Sequence, residues 1–171
     1  LGGAGGRRLA AAARAGRLRR EVPFLVRLDG GGGPACYLSG AVDALLEEGG
    51  ELEVVDYKYA LPRPGMAERH RWQLAAYALA AVRARPGRRV RASLQFLRGR
   101  CDAVDVTPSA ADLDRLAAEA PRLAAEMHRG AALPTPAALG RTRGRCEAEG
   151  CGYAYRCYPE PRPGRSRGRD P

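Results

Sequence analysis

The order of its hydrophobic patterns predicts that this 171-residue chain adopts an α/β or α+β layer fold. Three observations carry that expectation. Two pairs of β-rich runs each meet at glycine, at Gly49-Gly50 and at Gly99. Long segments of 3.6-residue apolar period follow each pair. An Ala- and Arg-rich stretch precedes the first run, so the order is helix, three strands, helix, two strands, helix.

Residues 7–20 are rich in Ala and Arg and predict a helix weakened by Gly16 near its end. The run EVPFLVRL at 21–28 reads as a strand and 29–34 as a loop. Residues 36–46 and 51–59 read as two strands around Glu47-Glu48-Gly49-Gly50, followed by a proline-punctuated loop at 61–65. Trp72, Ala75, Ala76, Leu79, Ala80 and Val82 give 68–83 its helical stripe. Residues 89–98 and 101–106 form the second strand pair. Thr107 is the expected cap of a last helix, with Pro108 at its first position. Leu113, Leu116, Ala117, Ala120, Leu123, Ala124 and Met127 form that helix's stripe, and Pro121 is expected to kink it. The domain expectation is a basic helix over 1–20, a folded domain over 21–158 and a disordered basic tail over 159–171.

The net charge of +10 is uneven. Residues 1–20 hold six Arg and no acid, and 160–171 hold four Arg against Glu160 and Asp170. Clustered cations suit a polyanion, although an arginine-rich composition would produce the same arms, and charge alone does not choose. Of the 29 basic residues only Lys58 is lysine, which points to a position wanting a compact ammonium rather than a guanidinium fork. Five cysteines without a secretory signal argue for a reducing, cytoplasmic setting. No stretch approaches the roughly 18 apolar residues of a membrane span, so no membrane partner is expected. The first residue is Leu, and a piece of a longer polypeptide is expected.

The chemistry concentrates in the Gly49-Gly50 hairpin. A two-residue turn there makes partners sum to 99, so Asp43 faces Asp56. Opposed Cβ atoms lie about 4.5–5.5 Å apart, and two carboxylates that close repel unless a cation joins them. Alternation places Lys58 on the face of Asp56. Two carboxylates with an ammonium suit Mg²⁺ and phosphate oxygens. A surface hairpin in which Lys58 merely pairs with both acids is the competing reading. On the next helix Arg69, Gln73 and Tyr77 form a polar row at i, i+4, i+8.

Glu21-x-Pro-Phe24, Leu38-Ser-Gly-Ala-Val-Asp43, Val54-Val-Asp56-Tyr-Lys58 and Gln73-Leu-x-x-Tyr77 together resemble the PD-(D/E)xK nuclease superfamily. They are most similar to the RecB-like nuclease domain at the C-terminus of AddA/RecB/UvrD-type helicases, over about residues 18–158. The resemblance implies a restriction-endonuclease-like mixed central sheet flanked by helices. It also implies Mg²⁺- or Mn²⁺-dependent, exonuclease-type cleavage of DNA in double-strand-break repair and recombination. The implied partners are DNA, chiefly single strands, and a helicase module in cis or in trans, in the bacterial cytoplasm.

The same resemblance makes Asp43, Asp56 and the backbone carbonyl of Tyr57 metal ligands, with Glu21 a further one. Lys58 becomes the catalytic lysine, and Gln73 and Tyr77 complete the catalytic set. Arg69, Arg19 and Arg20 are the implied DNA contacts. The family's pattern departs at one place: it puts an acid or His on an N-terminal helix, and residues 7–20 contain neither. An inactive DNA-binding or helicase-bracing relative is therefore the alternative expectation.

Cys146-x4-Cys151-x5-Cys157 resembles the segment through which some RecB-like nucleases hold a [4Fe-4S] cluster with one cysteine far upstream. The fourth thiolate would have to come from Cys36, Cys101 or a residue upstream of this sequence. The competing reading is a compact loop with Tyr153, Tyr155 and Tyr158 packed over the sheet. His70 and His128 lack paired spacing and read as surface residues, and Glu47, Glu48, Glu51 and Glu53 as a solvated hairpin tip.

Overall fold

A computed structural model of the chain describes residues 3–29, 35–100, 102–128, 142–152 and 154–158. The chain divides into two compact units, 1–125 and 126–171. In the first, helix α1 (Ala4–Arg14) leads into strand β1 (Leu18–Leu28), then β2 (Cys36–Glu48), β3 (Glu51–Lys58), helix α2 (Met66–Ala84), β4 (Val90–Phe96), β5 (Ala103–Asp105) and helix α3 (Ala110–His128). The five strands form one mixed sheet in the order β1-β2-β3-β4-β5, antiparallel except for the parallel β3–β4 pair. With its flanking helices this is an α+β, restriction-endonuclease-like architecture.

The first helix is shorter than its composition suggests. Gly16 adopts φ 70 and ends it, with the Gly16 N–H bonded to the Ala13 carbonyl and the Arg17 N–H to the Ala12 carbonyl. That pair of bonds is the Schellman arrangement, which needs a left-handed residue where only Gly is unstrained. The chain then turns into β1, so Arg19 and Arg20 lie on a strand rather than the expected helix. There they pair with Leu45 and Ala44, and backbone pairing with β2 overrides their helix propensity.

Gly49 and Gly50 have φ 58 and 84, and the β2–β3 ladder runs from Glu48↔Glu51 to Ala44↔Val55. A two-residue turn with both φ positive sets this register. The ladder stops one pair short of Asp43 and Asp56, which are therefore not the directly opposed pair that unbroken alternation predicts.

An inversion of the pleat accounts for the stop. Leu18, Ala44 and Leu46 pack with Leu9 and Ala12 on the α1 face. Val22, Phe24 and Val42, of the same parity, join the core under α2. The change of face falls at Glu21 and Asp43, where the β1–β2 ladder skips a pair and Glu21 adopts φ 47. A non-glycine residue at positive φ marks a bulge-like kink of this kind.

Besides the cluster on the α1 face, two further cores involve α2. Under α2, Leu74, Ala78 and Ala81 meet Leu52, Val54, Ala92, Leu94 and Phe96. Toward α3, Ala75, Leu79 and Leu116 meet Val26 and Leu28. The many alanines of α2 let its axis approach the sheet closely. Trp72 and Val82, expected in the apolar stripe, are instead exposed, because the alanine face fills the contact without them. Leu123 and Met127 of α3 are also exposed, and α3 runs through Pro121 as one helix.

Glu53 is buried and not part of a solvated tip. Register places it on the α1 face, where its carboxylate accepts from Ser93 Oγ at 2.7 Å and from Arg8 at 2.8 Å. The cap of α3 is Ser109, two residues past the expected Thr107. Ser109 Oγ accepts the Asp112 N–H at 3.2 Å, and the Asp112 carboxylate accepts from the Ser109 N–H at 3.0 Å and hydroxyl at 2.8 Å. Thr107 serves the sheet instead, its hydroxyl accepting the Ala92 N–H at 3.0 Å.

In the second unit Thr142 caps a short helix α4 (Arg143–Ala148), followed by α5 (Ala154–Cys157). Tyr155 is exposed rather than packed over a sheet, and Tyr153 lies outside the described residues. The expected tail beyond 159 also lies outside them. Among the described residues no helix is long and apolar enough to cross a membrane.

The Ser109 hydroxyl and N–H, then Arg115 and Arg71, hold the Asp112 carboxyl at about 2 against the opposing effect of burial. A depressed carboxyl contributes stability that is present above its unfolded value and lost as pH falls through its folded one. Asp112→Asn should therefore lower the melting temperature at pH 6. It should also flatten the loss of stability between about pH 4 and 2, measured by thermal unfolding across that range.

Candidate active site

Asp56 enters the sheet where β3 has been apolar through Val54 and Val55, and its side chain is 1% exposed. Burial is the largest influence on it and raises its pKa. Lys58 opposes that shift through direct contact, with Nζ 2.6 Å from Asp56 Oδ2. The Asp43 charge pushes the pKa further up, and His70 draws it down. Asp56 and Lys58 share a face because they are two residues apart on one strand.

Helix α2 closes over the pair. Gln73 Nε2 donates to Asp56 Oδ1 at 3.0 Å and to the Tyr77 hydroxyl at 2.9 Å. Gln73 Oε1 accepts from Lys58 Nζ at 3.4 Å. The i, i+4 spacing of Gln73 and Tyr77 thus becomes a hydrogen bond, and the row faces the carboxylate rather than solvent. Arg69, at the other end of the row, is exposed.

Phe24 packs edge-on against Tyr77, with ring centroids 5.8 Å apart. It pairs across the ladder with Gly40, where a Cβ would come within 3.0 Å of the Phe24 ring. Residues of all four sequence motifs are therefore linked physically. Gly40 makes room for Phe24, Phe24 supports Tyr77, and Tyr77 and Gln73 reach Asp56.

Asp43 reaches the site differently from the sequence expectation. At the pleat inversion its Oδ2 accepts the Tyr57 N–H at 2.8 Å, so it is anchored on the peptide next to Asp56. Glu21 is exposed at the same kink. Arg19 and Arg20 diverge. Arg19 lies beside Val22, Leu45 and Arg85 on the α2 face, whereas Arg20 acts on Tyr57, whose ring packs on the α1 side. Sequence reasoning missed His70, which is half-buried and near enough to influence Asp56. The available signal was its position three residues before Gln73, on the same helical face.

The donor set fits a divalent ion held through oxygen. Asp56 Oδ2 is buried and lies 2.6 Å from the Lys58 ammonium. Asp43 adds a second carboxylate. Among the described residues no group of three His, Cys, Asp or Glu side chains could hold a metal. Two carboxylates with water and phosphate oxygens suffice for Mg²⁺, whereas structural zinc takes four protein ligands and catalytic zinc three.

The cysteines do not assemble among the described residues. Cys146 is buried on α4, Cys151 and Cys157 are exposed, and all three are free. Cys36 is half-buried against the core toward α3, and Cys101 lies outside the described residues.

Asp56 and Lys58 at the C-terminal end of β3, with Asp43 of β2 anchored beside them, are the candidate site of this mixed sheet. A profile of the PD-(D/E)XK nuclease superfamily matches residues 4–158, and the chain belongs to that superfamily. The match begins at α1, so α1 is part of the family domain. Among solved structures, the crystal structure of SSO0001 aligns over 81% of this chain and 59% of that one, with TM-score 0.54 and 16% identity. This chain thus spans about three-fifths of that protein's length, and the likeness concerns the fold alone. No match is found among curated protein sequences.

Gln73 is the donor that satisfies both Asp56 Oδ1 and the Tyr77 hydroxyl. Gln73→Ala should cost about 1–3 kcal/mol in urea unfolding, since buried polar atoms lose their partner. The same substitution in an Asp56→Ala background should cost less, because one of those atoms is gone; a double-mutant cycle measures the difference.

Proposed function

We propose that this chain is a Mg²⁺- or Mn²⁺-dependent deoxyribonuclease of the RecB-like type. In this reading it cleaves DNA exonucleolytically as the nuclease part of a helicase–nuclease acting at double-strand breaks. The observation that carries the proposal is the buried Asp56 carboxylate held between Lys58 and Gln73. A structural ion pair would not need a burial-raised carboxyl with a second acid anchored alongside it.

Asp43 and Asp56 would hold the metal, with the Tyr57 carbonyl as the family's third ligand. The ion supplies Lewis acidity and an activated water when bound. Lys58 orients the attacking water and stabilises charge developing on the phosphate oxygens. Gln73 and Tyr77 keep the Asp56 carboxylate in one orientation, so no reorganisation is needed as charge develops. Exposed Arg69 offers a phosphate contact at the rim of the same helix. A helicase module delivering a single strand supplies the substrate in this reading.

Nuclease assays with Mg²⁺ or Mn²⁺, comparing the chain with Asp56→Ala and Lys58→Ala, test the proposal. Cleavage by the parent should fall at least about a hundredfold in each variant. Equal background in all three proteins removes the enzymatic reading and leaves the DNA-bracing relative. Saturating Mn²⁺, at about 100 times Kd, should stabilise the parent by about 2.7 kcal/mol, roughly 5–10 °C in Tm. Asp56→Asn should lose that shift.

A further inference from the structure

We infer that Tyr59 and Arg98 form a stacking platform for an unpaired nucleobase adjoining the scissile phosphate. This inference rests on the nuclease reading of Asp56 and Lys58. Tyr59 follows Lys58 directly and, at 82%, is the most exposed large hydrophobic side chain among the described residues. The Arg98 guanidinium carbon lies 5.9 Å from its ring centroid. Both residues sit just past the ends of β3 and β4, where Lys58 pairs with Phe96.

The backbone around the ring is held firmly. The Lys58 carbonyl accepts the Ala60 N–H at 2.8 Å and the Leu97 N–H at 2.9 Å. Leu61 lies so close to Gly99 that a Cβ there would come within 2.7 Å of it, and Gly99 needs φ 70. The loops carrying Tyr59 and Arg98 are therefore locked together at the C-terminal rim of β3 and β4, which fixes the ring's attachment point.

A lone exposed aromatic is ordinary, but one carrying an arginine next to a catalytic lysine is a different object. It offers a π surface for a base and a cation for the neighbouring phosphate. Alternation turns Tyr59 away from the Lys58 face, so its ring meets a strand that crosses the C-terminal rim of the sheet from a phosphate held at Lys58. Duplex bases are already stacked on one another and cannot use the ring. The platform therefore selects single strands.

The test measures the full chain binding a single-stranded oligonucleotide that contains 2-aminopurine, without divalent metal, and the matching duplex. The parent should quench the probe. Tyr59→Ala should bind the single strand about tenfold more weakly and lose the quench, with duplex binding unchanged. Tyr59→Phe should behave like the parent, and circular-dichroism melting should be the same for all three. Failure of the parent to bind the single strand overturns the inference, as do full affinity and quench in Tyr59→Ala, or equal losses on single strand and duplex. If the parent quenches and Tyr59→Ala does not, the platform is supported. Absence of Mn²⁺-dependent cleavage in that same parent would then count against the nuclease reading alone.

Discussion

The site depends on burying a carboxylate inside a sheet without leaving it alone. An isolated ionised acid in an apolar strand would neutralise itself or destabilise the fold. Asp56 avoids this because Lys58 is two residues further along the strand and Gln73 descends from α2. Each partner comes from a different level of organisation. Strand alternation supplies the lysine, and the β3–α2–β4 crossover supplies the glutamine. The crossover helix must therefore pack closely for the carboxylate to be satisfied, and the alanines at 75, 78 and 81 allow that approach.

Because β3 and β4 are parallel, their connection has to return along the full length of the sheet, and a helix is the usual solution. Its beginning then lies at the C-terminal ends of the strands, where ligands gather in open α/β sheets. Asp56, Lys58, Gln73 and Tyr77 meet there for topological reasons before any chemistry is considered. The α1 face follows another logic. There the buried Glu53 pairs with Arg8, which clamps the first helix to the sheet, and accepts a hydrogen bond from Ser93 of β4.

Much of this was legible in the sequence. The Gly49-Gly50 turn dictates the β2–β3 register, and the period-two pattern puts Asp56 and Lys58 on one face. The spacing of Gln73 and Tyr77 gave their shared row. What was not legible is non-local. The pleat inversion at Glu21 and Asp43 arises from a positive φ in a glutamate, which no local preference announces. It redirected Asp43 onto the Tyr57 N–H. Trp72 fits the helical period yet stays in water, since period alone does not say how wide a face the sheet covers. Thr107 and Ser109 both precede the helical stripe, and the structure caps the helix with Ser109. The Ser-x-x-Asp spacing to Asp112 was the discriminating sign.

The inversion also explains why Asp43 can be a second carboxylate at all. In an unbroken ladder it would sit within about 4.5–5.5 Å of Asp56 with nothing between them, and the repulsion would raise both acids. By leaving the ladder at Ala44↔Val55, β2 exchanges one backbone pairing for a side-chain bond to Tyr57. Asp43 is then held by a peptide N–H while remaining close enough to act on Asp56. A kink costs the sheet a hydrogen-bonded pair, and here the lost pair is the one whose regular geometry would have set two like charges face to face. The irregularity in the strands and the coexistence of the two acids are one structural fact.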